Sequence, residues 1–206
     1  MKKDKKNYHH GGLKKALIEA GLRILKTEGF RHLSLRKAAA MADVSVAAPY
    51  RHFRNNEELL AEIAAEGFRM LKTELEKSRE LFPGKVLKQF QECGIAYVQF
   101  ASDNEELFRI MYGNTVGDYS DYPVLKTAAD ETVMIMQSVI EECQKKKLIR
   151  KTDPKELAMS AWVLVHGLST LIIERKFHFS QWNPANLRTE VLRLQKNFYS
   201  GIRNRR

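Results

Sequence analysis

The sequence predicts an all-α protein of about nine helices, in which an N-terminal three-helix module is joined by a long helix to a C-terminal helical bundle. Three observations carry this. Apolar residues recur at three- and four-residue spacing along most of the chain, and no period-2 alternation of useful length appears. Proline and glycine are sparse, 5 and 11 among 206 residues, too few for many short strands and tight turns. Hydrophobic residues make up 44% of the chain, enough to bury a core in one large domain or two small ones.

In the first helix, Leu13, Ala16, Leu17, Ala20, Ile24 and Leu25 share a face, from about residue 10 to 28, with Gly29 as the stop signal. Ser34 stands before Leu35-Arg36-Lys37-Ala38-Ala39-Ala40-Met41 as the cap of a short second helix. Ala42-Asp43-Val44 makes a turn, and Ser45 is the expected cap of a third helix from Val46 to about His52. Asn55 or Asn56 caps a long helix that starts with acids at Glu57 and Glu58, matching the helix dipole, and ends before Pro83-Gly84. Further helices are expected at about 85–102, 104–113, 122–149, 154–178 and 185–203, punctuated by Asp103, Tyr122-Pro123, Asp153-Pro154 and Asn183-Pro184.

The net charge of +10 is concentrated at one end. Residues 1–56 hold 13 lysines and arginines against 4 aspartates and glutamates, a balance of +9; residues 57–206 hold 22 against 21, a balance of +1. This predicts a basic module, 1–56, that meets a polyanion, and a near-neutral module, 57–206, with another task. The plain alternative is a basic tail that serves solubility. Met1 is followed by Lys-Lys-Asp-Lys-Lys with no apolar stretch behind it, which argues against a secretory signal. Cys93 and Cys143 are too few for a disulfide scaffold and lack metal-site spacing, so a reduced, cytoplasmic chain is expected. His9 and His10 are adjacent and point apart on a helix, so no metal site is expected there. Leu157 to Ile173 carries no formal charge, but it is short for a membrane span and holds Ser160, His166, Gly167, Ser169 and Thr170; a buried helix in an oligomer core is the reading, with no membrane partner.

Two short helices joined by a three- or four-residue turn and preceded by a longer helix spell a helix-turn-helix. Phe30, Leu33, Leu35, Ala38, Ala39, Val44, Ala48 and Phe53 can close its small core, which leaves Ser45, Val46, Ala47, Tyr50 and Arg51 exposed. Leu33-Ser34-Leu35-Arg36-Lys37-Ala38-Ala39, Ala42-Asp43-Val44-Ser45, Pro49-Tyr50-Arg51-His52-Phe53 and Glu57-Glu58-Leu59-Leu60 together resemble the DNA-binding domain of the tetracycline-repressor (TetR) family. Trp162-Val163-Leu164-Val165-His166-Gly167 resembles the Trp…His-Gly signature of one C-terminal subgroup. The resemblance implies a homodimeric transcriptional regulator, usually a repressor, whose two reading heads enter successive major grooves of a palindromic operator. It also implies a small effector in the C-terminal domain, whose binding releases the DNA, and a dimer interface on the helices near 154–178 and 185–203.

Physical roles follow for the DNA-binding residues. Ser45 can offer its hydroxyl or backbone N–H to a phosphate. Val46 and Ala47 project toward base edges and can make only apolar contacts, such as with a thymine methyl. Tyr50 and His52 match family positions that commonly hold phosphates; Arg51 reaches a base or a phosphate, and Arg36 the backbone. Lys2, Lys3, Lys5 and Lys6 form a basic arm. Many family members carry a lysine where this chain has Asn56, so Arg54 is the expected replacement anchor. Pro49 removes an N–H whose acceptor would be the Ser45 carbonyl, which predicts a tilted or shortened recognition helix.

In the C-terminal module, Trp162 and His166 lie four apart on one helical face, and Gly167 permits close packing. Phe90, Ile95, Tyr97, Phe100, Phe108, Met111, Tyr112, Met134 and Met136 are wall candidates for an effector pocket. Phe90, Tyr97, Phe108, Met111 and Met134 form the expected ligand set with Trp162 and His166, and such a lining suits an apolar or amphipathic effector. No Gly-rich phosphate loop, His-Glu metal motif or nucleophile elbow is present, so no catalytic residue, metal or cofactor is expected. The alternatives to an effector-responsive regulator are a redox-responsive protein and a DNA binder driven by charge alone.

Overall fold

The computed structural model describes residues 10–176 and 186–203. Eight α-helices occur among the described residues, and no strand. They are α1 (His10–Glu28), α2 (Leu35–Met41), α3 (Asn56–Glu80), α4 (Val86–Asp103), α5 (Glu105–Tyr112), α6 (Pro123–Lys145), α7 (Pro154–Ile173) and α8 (Leu187–Ile202). Short 3-10 helices occupy Phe30–His32, Pro49–Arg51 and Tyr119–Asp121. The all-α class predicted from periodicity is the observed one. The expected helix over 46–52 is replaced by a turn and a 3-10 helix, which accounts for eight helices where nine were expected.

Local chemistry sets most boundaries. Gly29 ends α1 at φ 85, with its N–H on the carbonyls of Ile24 and Leu25; a left-handed residue there closes the last turn, and only glycine does so without strain. The Ser34 hydroxyl accepts from the Lys37 N–H at 3.2 Å and caps α2. Asn55 caps α3, accepting from the Glu58 N–H at 2.9 Å. Asp153 caps α7 ahead of Pro154, accepting from the Lys155 N–H. Two helices stop earlier than expected. Lys147 (φ 56) and Arg175 (φ 52) turn left-handed, and the N–H groups of Leu148 and Lys176 return to the carbonyls of Cys143 and Leu171. These closures end α6 and α7.

The described residues gather into two compact units: those up to Gly67 with Glu106–Lys126, and Phe68–Glu105 with those from Thr127 onward. In the first, Leu17, Ile24, Ala38 and Ala39 are fully buried together with Phe53, Leu59 and Ile63. Each large apolar side chain so buried contributes about 1.5–3 kcal/mol. In the second, α4 packs on α7 and α8. Gly94 on α4 has no room for a Cβ beside Gln195 of α8. Glu92, also on α4 and buried, receives both arms of the Arg188 guanidinium from α8, one of them at 2.8 Å. α7 buries Leu157, Ala161, Val165 and Leu168 on one face and leaves Met159 and Val163 exposed on the other. By length and composition alone α7 could cross a membrane; here its buried face lies against α4.

Candidate nucleic-acid interface

The first unit exposes most of the residues expected to meet DNA, but on a different backbone. Pro49 has no N–H to return to Ser45; the Ser45 carbonyl instead accepts from Ala48 at 3.0 Å, and Arg51 and His52 bond back to Ala48 and Pro49. Up to His52 three-residue bonds replace the α-helical ladder, and a four-residue bond returns only at Phe53, so the proline does more than shorten the helix. Ala48 takes the N-cap position of the 3-10 helix, and no side-chain cap is made there. Ser45 therefore has no α-helix to cap, and its hydroxyl lies on the exposed turn instead.

Around that segment Ser45, Val46, Ala47, Tyr50 and Arg51 are all exposed, as expected from the sequence. Val46 stands 53% and Tyr50 60% exposed, side by side with exposed Ser45, Ala47 and Arg51 on one short segment. Phe53 is buried beneath them, anchoring the segment through its N–H on the Pro49 carbonyl. His52 is half-buried, Arg36 exposed. The Arg54 N–H donates to Glu58 at 2.6 Å, and this bond holds the Glu58 carboxyl below the usual carboxylate range. The Arg54 side chain stays 82% exposed, 3.4 Å from the same carboxylate, within reach of a passing phosphate.

Asn56 does what the sequence reading missed. Its Oδ1 accepts the Leu35 N–H at 3.1 Å, tying the start of α2 to the start of α3. A helix start needs acceptors for its first N–H groups, which is the one sequence signal that pointed to such a tie. Lys37, beside Arg36, is spent on Glu28 at 2.9 Å. The lysine arm at Lys2, Lys3, Lys5 and Lys6, and His9, lie outside the described residues.

Among the seven expected ligand residues, three come together. The Tyr97 hydroxyl on α4 lies 3.0 Å from Nδ1 of His166, the Trp162 Nε1–H donates to it at 3.2 Å, and Trp162 stacks on His166. Burial pushes the His166 pKa down. Phe90 stacks on Phe198 of α8, and Met134 is exposed on α6. Phe108 and Met111 are buried in the first unit, where the Met111 side chain fills the space a Cβ on Gly67 would need. Cys93 and Cys143 are buried free thiols; desolvation raises both, Cys143 to about 11, which disfavours the reactive thiolate. A cleft of about 420 Å³ opens in the second unit between α3 and α4, lined by Met70, Glu74, Gln99, Phe100 and Asp103 among others. Of its lining, only Phe100 was a candidate in the sequence.

The capped helix α2, a tight turn and the exposed segment around Tyr50 in an N-terminal unit with a basic sequence are the elements of a helix-turn-helix DNA-binding protein. Residues 17–63 match the model of bacterial regulatory proteins of the tetR family, and residues 90–194 match the tetracyclin repressor-like C-terminal domain. The chain therefore belongs to the TetR family of transcriptional regulators. A protein of unknown function from Rhodococcus sp. RHA1 is similar in structure, with a TM-score of 0.81 and 29% identity, over 97% of this chain and 100% of that one. A bacterial regulatory protein in the tetR family, also from Rhodococcus RHA1, shares the fold at 17% identity and a TM-score of 0.66, over 94% and 98% of the two chains. So does the TetR family transcriptional regulator PfmR from Thermus thermophilus, at 15% identity and 0.61, over 89% and 94%. No curated protein matches the chain.

Proposed function

We propose that the protein is a homodimeric, cytoplasmic repressor that leaves a palindromic operator when a small effector binds its C-terminal module. In this reading residues 1–56 hold the DNA through Arg36, Ser45, Val46, Ala47, Tyr50, Arg51, His52 and Arg54, and residues 57–206 carry the effector and the dimer seam. No catalytic step belongs to it.

The observation that carries the dimer is the outward face of α7. Met159 and Val163 are 58% and 55% exposed, Leu171 follows two turns on, and a Cβ on Gly167 would meet nothing within 4 Å. A mid-helix glycine costs about 1 kcal/mol against alanine, and nothing among the described residues asks for it. A second copy of α7 approaching at Gly167 supplies the reason, and its apolar side chains would cover the stripe. Exposed Val46 and Tyr50 support the DNA-reading assignment in the same way.

Light scattering on the full chain and on Gly167→Leu tests this, alongside selection of bound fragments from the source genome. The expected results are a dimer, a monomeric variant with undiminished helix content, and a palindromic site bound by the wild type alone. A wild-type monomer that binds DNA without symmetry would overturn it.

A further inference from the structure

We propose that the cleft between the C-terminal halves of α3 and α4 binds an organic amine, a ligand that joins an ammonium group to an apolar body. Its volume of about 420 Å³ falls in the range of small-molecule sites, roughly 300–1,000 Å³. Glu74 on α3 and Asp103 on α4 place two carboxylates on its walls, and no lysine or arginine lines it.

The hydrogen bonds of the wall decide the class of ligand. The Thr73 hydroxyl donates to the Arg69 carbonyl at 3.0 Å. The Gln99 amide donates to Asp103 at 2.8 Å, and the Asn104 amide to the Phe100 carbonyl at 2.9 Å. One donor of each of these three groups is thus taken up within the wall. The same wall carries the amide oxygens of Gln99 and Asn104 and the carboxylates of Glu74 and Asp103, with about four lone pairs on each carboxylate before pairing. Glu74 also meets Lys77 at 2.8 Å, but both side chains are about half-exposed or more, and a pair of that kind holds its partner weakly.

An anion entering this cleft meets two carboxylates, with no lysine or arginine in the lining and Lys77 already paired with Glu74. An ammonium brings both donors and the opposite charge, and such charge-assisted bonds are the strong ones. The rest of the lining is apolar: the Met70 thioether from α3, and Ala96 and Phe100 from α4. Methionine adapts to an irregular apolar shape, and an aromatic ring favours a nearby cation.

That this cleft is the effector site rests on the proposed repressor; that it binds an amine does not. The test therefore has two arms. Calorimetry on the full-length protein uses phenethylamine as probe, with phenethyl alcohol and phenylpropionate as its neutral and anionic counterparts. Only the amine is expected to bind. Asp103→Asn and Glu74→Gln should each weaken it about tenfold with the melting temperature kept within roughly 2 °C. Equal binding of the three compounds, or an affinity unmoved in both variants, overturns the amine site; the comparison of the three compounds needs no variant to fold. The second arm adds phenethylamine to the protein on its selected operator. DNA retained although the amine binds leaves the site standing and removes it as the trigger of release. DNA released by another compound, with no amine binding, sinks the site and leaves the repressor reading intact.

Discussion

Tyr97 on α4 and His166 on α7 meet across 69 positions of sequence, phenol oxygen to ring Nδ1, at 3.0 Å. Trp162 can only donate, and its Nε1–H goes to the same oxygen from 3.2 Å. The phenol oxygen accommodates both contacts at once, and the tautomer of His166 sets which of the two partners donates in the bond to Nδ1. One hydroxyl thereby fastens α4 to two successive turns of α7, in the second unit, where those helices share the core.

Tyr97→Phe removes the acceptor of Trp162 and the partner of His166 in a single step while keeping the ring. Unfolding by denaturant should show a loss of about 1–3 kcal/mol, the scale of polar groups left unpaired in a buried setting. A loss below about 0.5 kcal/mol would mean that water replaces the phenol without penalty.

Burial holds the pKa of His166 below its ordinary 6.5, and this fixes the sign of one pH effect. The unfolded chain takes up the proton first as pH falls, so the folded state is penalised. The contribution of His166 is complete above about pH 6.5 and is lost as the pH drops through the lowered folded value. Melting temperature should fall between pH 7 and pH 5, and His166→Gln should flatten that part of the curve. An identical slope in the variant would assign the effect to other groups.

Glu106 on α5 accepts the Phe30 N–H at 2.8 Å and pairs with Arg109 at 2.9 Å. Phe30 follows Gly29, whose left-handed backbone aims that N–H outward from the end of α1. Glu106→Ala should destabilise by about 1–2 kcal/mol, whereas Glu106→Gln, which keeps an acceptor, should cost less than half as much. Equal losses in the two variants would shift the role from the hydrogen bond to the charge.

Tyr50→Phe should leave the melting temperature unchanged, because the side chain is 60% exposed. Operator binding should weaken by about 1 kcal/mol, one hydrogen bond to a phosphate, and by the same factor on random DNA, since a phosphate contact carries no sequence information. Replacing Val46 and Ala47 should instead alter which operators are selected. A change of preferred sequence in Tyr50→Phe would place that ring on a base edge.

The class of fold and most helix ends were legible in the chain because the forces that set them act within a few residues. Ser34 caps α2 with its own hydroxyl, Gly29 turns left-handed where α1 must stop, and Pro154 starts α7 where its missing N–H costs nothing. Even the loss of α-helix at 46–52 traces to Pro49, whose effect was visible in kind but not in extent. Periodicity likewise marked Leu17, Ile24, Ala38 and Phe53 as core. The pairings could not be read in this way. Tyr97 finds Trp162 across 65 positions and Phe30 finds Glu106 across 76, while Asn56 turns to Leu35 and not to solvent. Each depends on how one helix is rotated against another, and a rotation of a single residue, about 100°, would send the same side chain to water. Phe90, Tyr97, Phe108, Met111 and Met134 all had the composition of a pocket wall; helix rotation buried four of them and left Met134 exposed.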